Sequence, residues 1–333
     1  MKEKYLFELG GENTELGKYE ALELLEYNNY EPKLEKDYGK VIAISSSKLL
    51  TNKIISRLSM TKRLSKIIFH SQEKKINHII NDLDPIEIGQ KSFAIRQIGK
   101  SNLDEKKTAI SIGKKVSDIN KTSLDNPEVT ILFYQNKDFF ISLKLDFGNT
   151  AYKRCLKHHI SQRPYFSPIG IHPRIARAMV NLSNCKENEI LVDPFCGTGG
   201  ILIEAADMNL NIIGIDLKEK MVEYSTGNLK HFGFKGKIIE SDFEKINDIK
   251  FNSIVCDPPY GIASTTGGEN VTELMARCLE IFQSNMKEGQ RLVIAVSDSR
   301  IITNRKLNLI YKFEWYIHKS LTRNIMVLEK INT

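Results

Sequence analysis

An α/β fold organised around a parallel sheet is what this sequence predicts, and three observations carry the prediction. The C-terminal half alternates short apolar runs with helix-like stretches of roughly ten to fifteen residues, the mark of βαβ units. Its first four apolar runs end at or near an acid, Asp193, Asp216, Asp242 and Asp257. Strand ends of this kind are where open α/β sheets gather their ligands. A glycine-rich turn, GTGG at 197–200, stands directly between the first of these strands and the helix behind it.

Taken in order, residues 5–9 and 41–44 read as strands around a helix at 15–26. Residues 50–59 and 106–116 read as helices, and 92–98, 129–134 and 138–143 as strands. Asn136-Lys137 makes a hairpin turn between the last two. Residues 171–182 put Ile175, Ala178, Met179 and Leu182 at helical spacing with Pro173 in the first turn. That helix opens the C-terminal half. Strand 189–192, helix 199–208, strand 211–215 and helix 218–232 follow, the last with Met221, Tyr224 and Leu229 on one face. Strands 236–240 and 253–256, helix 272–286 and strand 291–296 complete the alternation. Residues 312–318 and 323–329 leave no room for a helix between them, which predicts an antiparallel hairpin at the sheet edge.

The chain has 333 residues, 41% hydrophobic and 27% charged, the balance of a globular protein of about two domains. No apolar run approaches the roughly 18 residues that span a membrane. The start, MKEKYLFELGGENTELG, is too acidic for a signal peptide, so a cytoplasmic address is expected. Five cysteines without CxxC spacing argue for reduced thiols and against a structural metal. The basic excess is local. Residues 51–160 hold 20 Lys and Arg against 11 Asp and Glu, a field suited to a polyanion.

The chemistry concentrates in two places. In Asp193-Pro194-Phe195-Cys196-Gly197-Thr198-Gly199-Gly200 the glycines let a ligand lie against bare backbone. The GxGxxG of hydride-transfer cofactors is missing, and the leading acid suits a cationic amino group, such as the ammonium of S-adenosylmethionine. Asp216 is placed for both ribose hydroxyls of an adenosine. Asp242 is placed for an adenine amino group with Phe243 near the base, though an acid there also serves as a helix N-cap. The second place is Asp257-Pro258-Pro259-Tyr260. Pro258 cannot extend a ladder, and two prolines stiffen the arc that carries a carboxylate, a carbonyl and a ring. The carboxylate and the Pro258 carbonyl can grip both hydrogens of a conjugated amine, while Tyr260 stacks on an extruded base.

This order of motifs resembles the class I S-adenosylmethionine-dependent methyltransferases that modify conjugated amino groups, on DNA bases, RNA guanine or glutamine amides. RPYFSPIGIHP at 163–173, ARAMVNL at 176–182, the D-P-F-C-G-T-G-G loop, D-P-P-Y-G followed by STT at 264–266, and KSLTR at 319–323 narrow it. Together they resemble the archaeal tRNA guanine-10 N2-methyltransferases, with Ser167 where His is frequent. RLSMTKR at 57–63 and FAIR at 93–96 look like that family's THUMP landmarks. The resemblance implies a ferredoxin-like part at 1–50, a THUMP RNA-binding domain at 51–147, a linker at 148–170 and a Rossmann-like methyltransferase domain at 171–333. It implies a cofactor held by Asp193, Phe195, Cys196, Gly197, Thr198, Gly199, Asp216, Leu217, Asp242 and Phe243, with Phe166 and Pro168 upstream. Asp257, Pro258, Pro259 and Tyr260 would face the reacting nitrogen. Arg57, Lys62, Arg63, Arg96, Lys153, Arg154 and Arg163 would meet tRNA.

The implied product is N2-methyl- or N2,N2-dimethylguanosine at position 10, made without metal; the sequence shows no coiled-coil heptad, so a monomer is expected. A small activating protein subunit is left open. The alternatives are another tRNA position, rRNA or DNA adenine, and an RNA-binding protein with a catalytically silent methyltransferase fold.

Overall fold

Two stretches of strand-forming sequence lie apart along the chain, and each closes its own sheet. The computed structural model describes residues 2–11, 13–73, 75–99, 101–117, 119–145, 150–167, 170–259, 271–297, 306–318 and 321–331. In the N-terminal half these are β1 (Glu3–Leu9), α1 (Thr14–Tyr27), β2 (Lys33–Asp37), β3 (Val41–Ser46), α2 (Asn52–Ile55), β4 (Thr61–Ser71), α3 (Ile76–Asp82), β5 (Phe93–Gln97), α4 (Glu105–Gly113), β6 (Val129–Gln135) and β7 (Phe139–Lys144). Among the described residues the strands form one seven-stranded sheet in the order β2-β3-β1-β4-β7-β6-β5. Among these described strands β5–β6 is the one parallel pair. β4 pairs with β1 on one side and β7 on the other, so the sheet is continuous across residue 50.

Four features here differ from the sequence reading, the first being the short α3, which was not expected. β4 and β2 were not expected. β4, TKRLSKIIFHS, lacks clean alternation because both faces are partly covered and its pairing to β7 shifts register between Ile67 and Phe69. β2, KLEKD, is a charged edge strand, the usual guard against edge-to-edge pairing. The helix expected over 50–59 shrinks to the four residues of α2, since beyond it Arg57 and Ser59 bond to other elements instead.

The C-terminal half begins with α5 (Ala151–Arg154) and two 3-10 turns, Cys155–His158 and Ile160–Gln162. Then come α6 (Pro173–Leu182), β8 (Ile190–Asp193), α7 (Gly200–Ala206), β9 (Asn211–Asp216), α8 (Glu219–His231) and β10 (Lys237–Glu240). A 3-10 segment at Phe243–Asp248, β11 (Ser253–Cys256), α9 (Val271–Asn285), β12 (Arg291–Val296), β13 (Leu307–His318) and β14 (Leu321–Lys330) complete it. The sheet order is β10-β9-β8-β11-β12-β14-β13. Its first five strands are parallel, and β14 runs antiparallel to both β12 and β13, the expected edge hairpin. Apolar side chains of α6 and α7, such as Met179 and Ile201, cover one face. Phe243, Cys278 and Phe282 cover the other. Strand order reverses between β8 and β11, the switch point where a crevice opens at the strands' C-terminal ends.

The start of α6 shows the local logic. His172 caps it, its Nδ1 accepting from Arg174 N at 3.2 Å, with Pro173 following. Burial, then the nearby Arg174 charge, pulls the His172 pKa down to about 4, which keeps that nitrogen an acceptor at neutral pH.

A buried polar cluster joins the halves. Glu20 of α1 accepts from Ser59 N, Ser59 Oγ, Met60 N and Asn181 Nδ2 of α6, at 2.6–2.9 Å. Burial raises its pKa against these four donors. Arg177, 1% exposed, donates to Glu204 at 2.9 Å and Asp207 at 2.8 Å. Among the described residues no helix is long and apolar enough to cross a membrane.

Candidate active site

β8 ends in Asp193, and the chain then turns through Gly197, φ +50°, and Gly199, φ +81°, before α7. A Cβ at Gly197 would meet nothing within 4 Å, so bare backbone faces open space there. That space is a cavity of about 390 Å³, of the size that takes a small-molecule cofactor. Asp193, Phe195, Cys196, Gly197 and Thr198 form one part of its wall. Asp216 with Leu217, and Asp242 with Phe243, form a second. Asp257, Pro258 and Pro259 form a third, so three successive strand ends converge with the glycine turn.

The wall carries unbalanced charge. Asp193 is 2% exposed, and its Oδ1 accepts from Phe195 N at 3.1 Å. Burial pushes its carboxyl well above the usual carboxylate range, and the charges of Asp257 and Asp216 push the same way. Among the described residues neither Asp193 nor Asp216 forms an ion pair. Asp216 accepts from Gly197 N at 2.9 Å and Lys218 N at 3.0 Å, and its pKa is also raised by burial. A buried carboxyl without a cation is costly unless a ligand supplies the partner. Cys196 lies against this group with its thiol raised by burial, so it serves as packing and not as a nucleophile.

Asp242 is the N-cap the sequence allowed, and it also borders the cavity. As the cap of the 3-10 segment it accepts from Glu244 N at 3.0 Å. Phe243 and Phe195 stand 5.5 Å apart as an aromatic wall, and the Arg277 guanidinium sits 4.9 Å from the Phe243 ring.

Asp257 closes the cavity at the end of β11. Its Oδ2 lies 3.0 Å from Nη2 of Arg323, a β14 residue only 5% exposed that also lines the cavity. Sequence reading quoted Arg323 within the KSLTR run without giving it a role. The signal available was an arginine just ahead of the apolar run Ile325–Leu328 of a strand.

Other expected residues fall elsewhere. Gly199 packs against Ser225 of α8, where a Cβ would come within 2.7 Å of Oγ. Phe166 is 65% exposed and does not line the cavity. Pro168 and Tyr260 lie outside the described residues.

Two of the expected RNA contacts, Arg57 and Arg163, need correction because they are buried. Arg57 is buried, donating to Asn181 Oδ1 at 3.0 Å and Cys185 O at 3.3 Å, and it holds the two halves together. Arg163 is buried in the cavity wall itself. Arg63 is paired bidentately with Glu8, Lys62 lies 3.6 Å from Glu8, and Arg96 donates to Leu124 O at 2.8 Å. Arg154 donates to Ser56 O at 2.6 Å and lies 3.8 Å from Asp207. Lys153 stands exposed on α5.

Comparison with known proteins adds a family to this geometry. A family model described as "RMKL-like, methyltransferase domain" matches residues 161–313. One described as "DNA methylase" matches 61–227, a range that stops ahead of Asp257. A tRNA (guanine(10)-N2)-dimethyltransferase of Methanothermobacter thermautotrophicus is 32% identical over 285 residues, 83% of this chain and 84% of that protein. One of Methanocaldococcus jannaschii is 31% identical over 97% of this chain and 99% of that protein. The chain belongs to this archaeal family.

Members of the tRNA (guanine(10)-N2)-dimethyltransferase family share their fold with more distant solved structures. TrmN from Thermus thermophilus superposes with a TM-score of 0.58 at 17% identity, over 98% of this chain and all of that one. A protein described as a methyltransferase and solved with SAH gives 0.51 at 17% identity, over the full length of both. The cofactor is S-adenosylmethionine. The cavity fits it on its own evidence, since the buried, unpaired Asp193 carboxyl suits its ammonium, the bare Gly197 backbone gives it room and Asp216 suits its ribose.

Proposed function

We propose that this chain methylates the exocyclic N2 amino group of guanine at position 10 of tRNA, giving N2-methyl- and then N2,N2-dimethylguanosine. The observation that carries this reading is the convergence of Asp257, Pro258 and Pro259 on the same cavity as the glycine turn. Bound there, S-adenosylmethionine supplies an electrophilic sulfonium methyl. The guanine amine is a poor nucleophile because its lone pair is delocalised into the ring. Asp257 and the Pro258 carbonyl accept its two hydrogens, draw the nitrogen toward a pyramidal geometry and turn the lone pair to the methyl. Arg323 fixes the carboxylate's orientation and balances its charge. Asp257 takes the proton released on transfer, so alignment carries most of the acceleration. After one methylation a single N–H remains to be gripped, which the same acceptors serve.

Residues 1–147 act as the RNA-holding part in this reading, with a THUMP domain at 51–147, a linker at 148–170 and the catalytic domain at 171–333. The local basic excess supports that role. The guanine leaves its stem at a cost of a few kcal/mol, and Tyr260 stacks on it. The chain works in the cytoplasm as a monomer. The test is mass analysis of nucleosides from an unmodified tRNA transcript incubated with the protein and S-adenosylmethionine, with Asp257→Ala alongside. Methylguanosine dependent on Asp257 supports the reading. An RNA left unmodified while the cofactor still binds by calorimetry refutes it.

A further inference from the structure

Arg163 was expected on RNA and lies instead inside the cofactor cavity, 5% exposed. Its Nε donates to His158 O at 2.9 Å. Its Nη1 and Nη2 are buried and have no hydrogen-bond partner among the described residues. An unpaired guanidinium in a dry wall is expensive to keep; the Glu204 charge offsets part of that cost but makes no hydrogen bond to it. Glu204 spends one oxygen on His158 at 2.8 Å and the other on Arg177 at 2.9 Å. Gly200 has no side chain to cover the group, and a Cβ there would lie 3.2 Å from Nη1. The same wall carries Asp193, a buried carboxyl equally without an ion-pair partner among the described residues. One basic and one acidic group without ion-pair partners among the described residues, lining a single small cavity, match a zwitterion, the end group of an α-amino acid.

We propose that Arg163 receives the carboxylate of the cofactor's amino-acid end while Asp193 receives its ammonium. The inference rests on the cofactor assignment above, and it gives Arg163 a task in ligand discrimination. Planar guanidinium groups grip carboxylates through two parallel hydrogen bonds, which fixes orientation as well as affinity.

Calorimetry with two ligands tests it: S-adenosylhomocysteine, and its decarboxylated analogue, which keeps the ammonium and lacks the carboxylate. Wild type should prefer the former by about 10- to 100-fold, the range for hydrogen bonds to charged groups. Arg163→Met should lose that preference by weakening only the carboxylate-bearing ligand, and Arg163→Lys should keep part of it. Equal weakening of both ligands would mean a merely structural role and overturn the proposal. So would a tRNA affinity that falls in Arg163→Met while the ligand preference stays intact. If both variants fail to fold, the wild-type preference alone decides, and its absence overturns the proposal. Wild type binding neither ligand would overturn the cofactor assignment and this inference with it.

Discussion

In the N-terminal sheet, charged side chains find partners within the protein. Arg63 and Lys62 meet Glu8, Lys66 meets Glu3 at 2.7 Å, and Lys36 meets Asp138 at 3.1 Å. At the C-terminal edge of the second sheet, Asp193 and Asp216 form no ion pair among the described residues, and Arg163 leaves two nitrogens unpaired. Asp257 stands between these cases, paired with an arginine from its own sheet. The difference separates charges that hold a fold from charges that await a ligand. Exposed pairs of the first kind contribute about 0–1 kcal/mol each, whereas buried unpaired charges oppose folding and persist where something else compensates them.

Removing Asp257 should have the largest effect. Asp257→Asn is expected to lower turnover about 10³-fold while S-adenosylhomocysteine binding by calorimetry stays within a few-fold of wild type. Arg323→Met comes next. It strands a mostly buried carboxylate, so denaturant unfolding should show a loss of about 3 kcal/mol, partly recovered in the Asp257→Asn/Arg323→Met double variant. No recovery in the double variant would place Arg323's contribution outside the pair.

Asp193→Asn should act with opposite signs on stability and binding. Because burial raises the folded-state pKa of Asp193, its stability contribution is fully present below the unfolded value of about 4 and is lost as pH rises through the folded value. The asparagine removes that loss, so its Tm at neutral pH should exceed that of wild type. Cofactor affinity should fall about 10- to 100-fold. In wild type, affinity should climb with pH over the interval in which Asp193 ionises, and a flat profile would contradict the ammonium contact.

The smallest effects belong to residues outside the cavity. Lys153→Ala should weaken tRNA binding a few-fold at low salt and reduce the salt slope by about 1. Arg57→Met should lower Tm through the lost bonds to Asn181 and Cys185 and leave the salt slope unchanged. A changed slope in Arg57→Met would return that residue to the RNA surface.

The second sheet was legible because each buried strand reads as an apolar run closed by an acid, glycine or proline, a local pattern that places Asp193, Asp216 and Asp257 without tertiary information. β4 was not, since a bulged strand covered unevenly on both faces has no period to read. Arg163 and Arg57 misled for a related reason. An arginine in a basic stretch looks solvated, and only the distant segments that pack against it, Gly200 beside Arg163 and Asn181 beside Arg57, show it buried. Arg323 depends on β14 folding back beside β12, next to β11, a contact that no local motif encodes.

The most direct test of the central claim uses two tRNA transcripts, one with guanosine at position 10 and one with inosine there, which lacks only the N2 amino group. Incubation with the protein and S-adenosylmethionine, followed by nucleoside mass analysis, should yield N2-methyl- and N2,N2-dimethylguanosine from the first and no methylated nucleoside from the second. Equal methylation of both transcripts would contradict the account by moving the reaction away from the N2 amino group of guanine 10.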